Sequence, residues 1–517
     1  MATNAFPAKY TFDVTAAPSC ANDYVIYPLN TVGSAAQATL VAFNNLYSGT
    51  AGGTGICNRA PTAADDGTDA TVLWSYNVDA IGGAITTSPV ISWDSSTGAG
   101  SVLGTKVAFV ESASGQNAHF HVLAFKAGDG QDATNLQNTL KPLPITTFVP
   151  GDPAAGSGTA TDLALSADFG GPDTISPPFV DYMNDYAYVG NDAGDLYRIK
   201  DVFCPSFNTD TGCTSGAGPS LDTSWGSGTG YVEVGSGCGQ LSGAVEDFTT
   251  GNVYVGCADG FLYGFTSTGA PLPGSSHGFI FLGDGEGTSP NGGIVVPPLV
   301  DSSNGLVYAV SGNNGTTVAL LQTNTAFGAS SIKRVGLGSS PASGENPSIP
   351  TFNTAYYSSG SSSSWALLEC GYNTLGTATV LYAVSFTSAR ALTAGTPPAS
   401  NQFTLATDVE ACSPLTGFTN LGAGPPFSFP TDWLFMGLSG GTISNYNINN
   451  TTGSGFGGGF AATATYPVTG GPSGIIVDNE STDPQASSMY FSGLGSQSCG
   501  TGGTGYCAVK LTQSGLD

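Results

Sequence analysis

The sequence predicts an all-β chain: a single β-propeller of about eight four-stranded blades, one domain over residues 1–517, its ring closed by an N-terminal strand. Three observations carry this. A phrase of two apolar runs around a Gly/Asn/Asp turn returns about eight times, at a mean spacing of roughly 65 residues. Further apolar runs stand before and after many copies, which makes four strands per unit. No segment shows the apolar period of a helix.

The copies begin at Asp23 (DYVIYPLN…ATLVAF), Lys106 (KVAFVES…HFHVLAF), Asp185 (DYAYVGNDAGDLYRI) and Asn252 (NVYVGCADGFLYGF). They continue at Leu306 (LVYAVSGNNGTTVALL), Trp365 (WALLECGYNTLGTATVLYAV), Asp432 (DWLFMGLSGGTISNYNI) and Ser488 (SMYFSGLGSQSCGTGGTGYCAVKL). If the Trp365 copy is no blade, the ring has seven. Each copy is a hairpin, because Asp259-Gly260 and Asn314-Gly315 tolerate the positive φ of a tight turn. A third run precedes several copies: TTSPVISWD at Thr86, TISPPFVD at Thr174, GGIVVPPLVD at Gly292 and GGPSGIIVD at Gly470. A fourth follows several, at Leu73, Tyr231, Phe279 and Ala462.

One such sheet cannot cover both of its apolar faces, whereas a ring of sheets covers each face with a neighbour. The ring must also close. The segment KYTFDV, residues 9–14, alternates as a strand does, and the last copy ends soon after Val509 without a fourth strand of its own. Residues 9–14 are therefore expected to complete the last blade. The Gly/Ser/Thr-rich stretches 44–71, 151–171, 204–230 and 339–364 are expected as loops on the ring faces, where binding specificity would reside.

The cadence S-P-x-x-x-D followed by V-Y-V-G-x-x-D-G-x-L-Y-A-F resembles the quinoprotein-like (PQQ-type) β-propeller repeats. Copies at Asp185 and Asn252 match it well, and those at Lys106, Leu306 and Asp432 moderately. The resemblance covers most of the chain at the level of architecture and implies a propeller. It carries no activity, because such propellers serve as enzymes, assembly scaffolds and adhesins alike. The adjacent Cys-Cys that lies over the quinone in that family is absent. Cations for the cofactor's three carboxylates are scarce, with Arg198, Lys200, Lys333 and Arg334 in or beside repeats. PQQ is not expected.

Composition narrows the partners. The 517 residues hold 37 Asp+Glu against 11 Lys+Arg, a formal net charge of −26. Such a surface repels phosphate backbones and anionic lipid, which argues against nucleic-acid and membrane partners. No apolar run reaches the roughly 18 residues of a membrane span. The ten cysteines fall into neighbours, with no CxxC pair. Five local disulfides are expected: Cys20–Cys57, Cys204–Cys213, Cys238–Cys257, Cys370–Cys412 and Cys499–Cys507. They place the protein in an oxidising compartment, secreted, extracellular or periplasmic. The start MATNAFPAKYTF has no basic or apolar leader, as in a mature chain whose signal peptide has been replaced by Met1.

Candidate chemistry is sparse. In AHFHVLAF, His119 and His121 alternate along a strand and project to one face. With His277 they make three histidines, the whole supply, and a copper or zinc site could use all of them. Packing within a blade is the alternative. Asn191, Asp192 and Asp195 in GNDAGDL cluster oxygen ligands of the kind that suit a structural calcium, as do Asp301 and the Asp478, Glu480, Asp483 group. Turn-capping explains them equally well. A glycoside hydrolase needs two carboxyls across a sugar with aromatic platforms. Glu246, Asp247, Glu286, Glu345, Glu369 and Glu410 supply acids, and Trp225, Trp365 and Trp433 supply rings. No GxSxG, P-loop or HExxH motif occurs. The leading expectation is a secreted, non-catalytic binding or scaffold propeller for a glycan, a surface polymer or a protein, and self-association through a free terminal strand is a further one. The alternatives are a carbohydrate-active enzyme with a carboxylate pair in the central pore and a His-ligated metal oxidoreductase.

Overall fold

A computed structural model describes residues 1–10, 18–49, 55–60, 62, 64–78, 81–92, 106–137, 140–145, 159–164, 173–203, 219–235, 237–274, 278–281, 293–328, 331–340, 348–358, 361–420, 431–478, 485–499 and 504–512. The chain is a β-propeller of eight consecutive antiparallel blades, and the Trp365 copy is one of them. Among the described residues the α-helix is one turn, Thr354–Tyr357, and no helix is long and apolar enough to cross a membrane. The chain divides into two compact units.

The first unit holds residues 1–188, 197–222 and 473–517. Blade 1 is built from Ala8–Tyr10, Tyr24–Pro28, Leu40–Asn44 and Thr71–Asn77, with Leu143–Pro144 added in parallel. Blade 2 follows with Val90–Ile91, Lys106–Glu111, His119–Ala124 and Thr159–Ala164. Blade 3 begins with Phe179–Asp181 and Tyr186–Gly190, and blade 8 consists of Ile476–Asp478, Ser488–Ser492 and Ala508–Thr512. Alternation along one strand of blade 1 explains the packing. Tyr24 and Ile26 enter a core with Val107, Phe109 and Leu123 of blade 2. Their neighbours Val25 and Tyr27 enter a core with Met1, Ala5 and Tyr490, on the blade 8 side. A strand with side chains on both faces thus serves two interfaces. Each fully buried aliphatic or aromatic side chain contributes roughly 1.5–3 kcal/mol.

The two chain ends meet within this unit, but the closing strand differs from the expectation. Lys9 and Tyr10 pair with Val25 and Tyr24, so they form the innermost strand of blade 1 rather than a fourth strand of blade 8. Tyr24–Pro28 is the nearest described strand in sequence, and a partner close in sequence costs less entropy than a distant blade. Residues 11–14 lie outside the described residues. The ends are joined instead by single contacts. Lys9 Nζ lies 3.0 Å from Asp478 Oδ2, with the Asp478 side chain buried and that of Lys9 10% exposed. The Tyr47 hydroxyl donates to Asp478 Oδ2 at 3.4 Å, the Gly474 amide to Ala5 O at 2.9 Å, and the Tyr27 hydroxyl to Val509 O at 3.1 Å.

The second unit holds residues 189–196 and 223–472, with blades 4 to 7. Blade 4 is Val245–Asp247, Asn252–Gly256, Phe261–Phe265 and Phe279–Phe281. Blade 5 is Leu299–Asp301, Leu306–Asn314, Thr317–Asn324 and Lys333–Ser339. Blade 6 is Thr351–Phe352, Ala366–Tyr372, Thr379–Ser385 and Gln402–Ala406, and blade 7 is Thr416–Asn420, Thr431–Leu438, Thr442–Asn447 and Ala462–Pro467. The two-sided logic repeats. Val307 and Ala309 pack with Tyr254 and Leu262 of blade 4, while Tyr308 and Val310 pack with Leu367 and Tyr382 of blade 6.

The repeated phrase has identifiable duties. In NVYVGCADGFLYGF the two runs are the middle strands of blade 4, and Gly260 turns between them at φ +88°. A serine before the inner strand latches it: Ser242 and Ser413 donate their amides to Gly256 O and Gly437 O and accept those residues' amides on Oγ. Ser473 does the same with Ser492. The aspartate that ends the inner strand caps the next turn, Asp181 through Met183 N and Asp247 through Thr249 N. Three predicted loops contain strands: Thr159–Ala164 is the outer strand of blade 2, Ser220–Leu221 pairs in blade 3, and Thr351–Phe352 is the inner strand of blade 6. Composition hides the first two, because short outer strands are small and polar.

Candidate functional site

The histidines share a face as predicted. Their rings lie 6.1 Å apart on the His119–Ala124 strand, opposite Glu111 and Phe109. His121 is fully buried, stacks on Phe109 and sets Nε2 3.2 Å from Glu111 Oε2, which is also fully buried. Glu111 Oε1 accepts the amides of Ile81 and Gly83. Burial alone would raise the Glu111 carboxyl, but the His121 contact and the two amides outweigh it and hold the group below its ordinary value. The pair anchors the approach to blade 2. His277 lies outside the described residues.

The GNDAGDL cluster is an Asx-type turn. Asn191 Oδ1 accepts the amides of Ala193 and Asp195, its Nδ2 donates to Asp195 Oδ2 at 3.1 Å, and Asp192 Oδ2 accepts from Gln240. Asp301 caps its turn through Asn304 and also accepts the Tyr356 hydroxyl at 2.6 Å. Asp478 turns to Lys9, while Glu480 and Asp483 lie outside the described residues. Cys238, Cys257 and Asp259 approach one another as metal ligands would, but the two sulfurs are a disulfide and have no thiolate to offer. Four of the five predicted disulfides are present: Cys20–Cys57, Cys238–Cys257, Cys370–Cys412 and Cys499–Cys507. Cys204 and Cys213 fall outside the described residues.

Among the described residues, the carboxylates suggested by a hydrolase do not assemble with their platforms. Glu246 and Asp247 are consecutive on one strand and point to opposite faces. Glu410 accepts the Gly440 amide at 2.7 Å, and Glu286 and Glu345 lie outside the described residues. Trp225, Trp365 and Trp433 are all buried, so none offers a face to a sugar. Glu369 is sealed inside blade 6, opposite Tyr382, with Ser348 Oγ at 3.5 Å and no partner for Oε2 among the described residues. Burial holds its carboxyl well above the ordinary value of 4.5. A raised acid keeps its proton in the native state after the unfolded chain has released it, so stability falls as pH rises above 4.5. Glu369→Met is expected to raise stability at pH 7 by about 1–3 kcal/mol and to flatten that decline. Urea unfolding at several pH values checks both.

What the first unit does offer is a groove of about 480 Å³ between blade 1 and the Ala508–Thr512 strand. Phe43 and Leu46 from blade 1, with Tyr490 and the exposed Tyr506 from the blade 8 side, give it apolar patches in a lining that is more polar than apolar, Ser48, Thr68, Gln137 and Gln485 among it. Exposed Asp69 stands at the rim, with exposed Asp66 three residues before it. Burial and the negative charge of Asp66 push the Asp69 carboxyl up. Lys510 is drawn inward, 3.4 Å from Gln485 Oε1 and over the Tyr47 ring, and burial lowers its ammonium to about 8. Sequence reasoning missed this groove. Its signal was the missing fourth strand of the last copy, which had been assigned to residues 9–14.

No family model and no curated protein matches this chain. Among solved structures it is similar to Sqt1 from Chaetomium thermophilum, at 10% identity and TM-score 0.46, covering 91% of this chain and 87% of that one. The same protein bound to the N-terminus of the ribosomal protein L10 gives 10% identity and TM-score 0.44 over 90% of each chain. BBS1N in complex with ARL6DN gives 8% identity and TM-score 0.36, covering 80% of this chain and 90% of that one. The fold assignment stands on the blades described above.

Proposed function

We propose that this protein is a non-catalytic binding propeller of an oxidising, extracytoplasmic compartment, and that it receives a protein partner in the groove beside blade 8. The groove carries the reading. It sets the exposed Tyr506 ring and Phe43 beside an acidic rim and along a strand edge that no described strand pairs. The groups a catalyst would use, Glu111, His121 and Glu369, are sealed inside blades with no access to it. Buried tryptophans turn the choice of ligand from glycan toward protein. Four disulfides support the compartment.

The test is site-specific photo-crosslinking, with a crosslinker at Tyr506 in the groove and another at the equally exposed Tyr357 in the second unit. In the extracellular fraction of the source, a discrete protein adduct is expected from Tyr506 alone. A reducing-sugar assay over a polysaccharide panel runs beside it and is expected to be silent. Released sugar, or adducts from Tyr357 and not Tyr506, would overturn the reading.

A further inference from the structure

We infer that the Ala508–Thr512 strand accepts an extended, Lys- or Arg-bearing peptide segment of a partner protein as the missing fourth strand of blade 8. This deepens the groove reading and rests on it. Among the described residues, blades 1 to 7 each have at least four strands, whereas blade 8 has three and ends on Ala508–Thr512. The hydrogen-bond parity of that edge follows from one contact. The Gly493 amide donates to Cys507 O, and the strands pair Ser492 with Ala508 and Phe491 with Val509. Directly opposed residues alternate between bonded and unbonded pairs in an antiparallel ladder. Val509 and Leu511 therefore bond inward to the Ser488–Ser492 strand. Ala508, Lys510 and Thr512 turn their N–H and C=O groups outward, and no described strand pairs with them.

Those three residues line the groove. The groove lies on the blade 1 side of that edge, with the apolar wall of Phe43 and Leu46 across from it. A strand added there would alternate its side chains between this apolar wall and the open side. Proteins usually guard a bare edge with an outward lysine or a proline. Here the Ala508–Thr512 segment has no proline, and its one lysine is folded inward to Gln485.

Charge decides the occupant. The rim presents Asp66 and Asp69, and the chain as a whole carries −26. Two copies meeting at this edge would set acidic rim against acidic rim. A cationic segment of another protein brings the complement.

The test uses a labelled synthetic peptide of about eight residues alternating Lys with Val, and a counterpart with Glu for Lys. Hydrogen exchange on the full chain is expected to show new protection at the Ala508, Lys510 and Thr512 amides with the Lys peptide and none with the Glu peptide. Ala508→Pro removes an outward N–H at an edge position where proline is tolerated, and is expected to weaken binding about tenfold. Asp69→Lys, an exposed change that keeps the strand intact, is expected to weaken it by a similar factor. Binding without protection of those amides, equal binding of both peptides, or binding untouched by Asp69→Lys overturns the proposal. So does a concentration-dependent dimer that Ala508→Pro abolishes, since the occupant is then a second copy. An adduct at Tyr506 together with unprotected edge amides leaves the binding reading standing and removes only the added strand.

Discussion

Deleting residues 1–10 is expected to lower the melting temperature by about 10 °C, the largest single effect available in this chain. The segment supplies the inner strand of blade 1 and two contributors, Met1 and Ala5, to the core shared with Tyr490. It also supplies Lys9, the cation paired with buried Asp478. Removing one partner of a buried pair costs about 3–5 kcal/mol, and the Tyr47 hydroxyl that stays on Asp478 places this pair toward the lower end. At roughly 2–4 °C per kcal/mol for a body of this size, the pair alone accounts for the shift. Lys9→Met isolates it, and Lys9→Met with Asp478→Leu should recover much of the loss, since well-packed apolar groups replace buried pairs at little cost. Differential scanning calorimetry measures all three. An unchanged melting temperature after the deletion would show that the seam between the chain ends holds without the first ten residues.

The fold was legible because the repeat states it at several levels at once. Val-Tyr-Val-Gly alternation, an Asp-Gly turn and a preceding Ser…Asp run each point to the same blade, and each has a separate duty in blade 4: two packed faces, a positive-φ turn, and latch and cap hydrogen bonds. Even the weak Trp365 copy kept enough of the pattern to form its four strands. The closing strand was misplaced because KYTFDV has strand character but nothing in its composition names a partner. Pairing is a tertiary choice, and Lys9 serves both ends by pairing its backbone with Val25 and its side chain with Asp478.

The site was less legible, for a physical reason. Metal, sugar and redox chemistry announce themselves by residue type, and several of the described residues flagged on that basis make contacts within the blades and turns. Asn191 and Asp301 bond backbone amides in turns, Trp365 lies against the Arg390 guanidinium, and Tyr356 bridges Asp301 and Tyr308. A groove flanked by an open strand edge is made from backbone groups and from what is missing beside them. No side-chain motif records that. The one trace is that no apolar run follows the last copy.

Replacing Glu111 by Ala is expected to cost about 3–5 kcal/mol, the largest effect of any point substitution in blade 2. The loss has three parts: the ring of His121 is left in a fully buried site without its carboxylate, and the amides of Ile81 and Gly83 lose their shared acceptor. Glu111→Gln keeps an acceptor for both amides and should cost distinctly less. His121→Phe preserves the stack on Phe109, so the double variant Glu111→Gln with His121→Phe should approach the single Gln variant rather than add to it. The pH dependence has a fixed sign. The native Glu111 carboxyl lies below its ordinary value of 4.5, so its contribution is present above pH 4.5 and fades as the pH drops through the native value. Glu369, held above 4.5, contributes the opposite slope, and the Glu369→Met background separates the two. The same melts decide what the histidine pair is for. Zinc or copper bound by His119 and His121 would raise the melting temperature in proportion to the logarithm of metal concentration. With His121 committed to Glu111, the expected result is no shift on adding either metal, and the full loss on removing the glutamate.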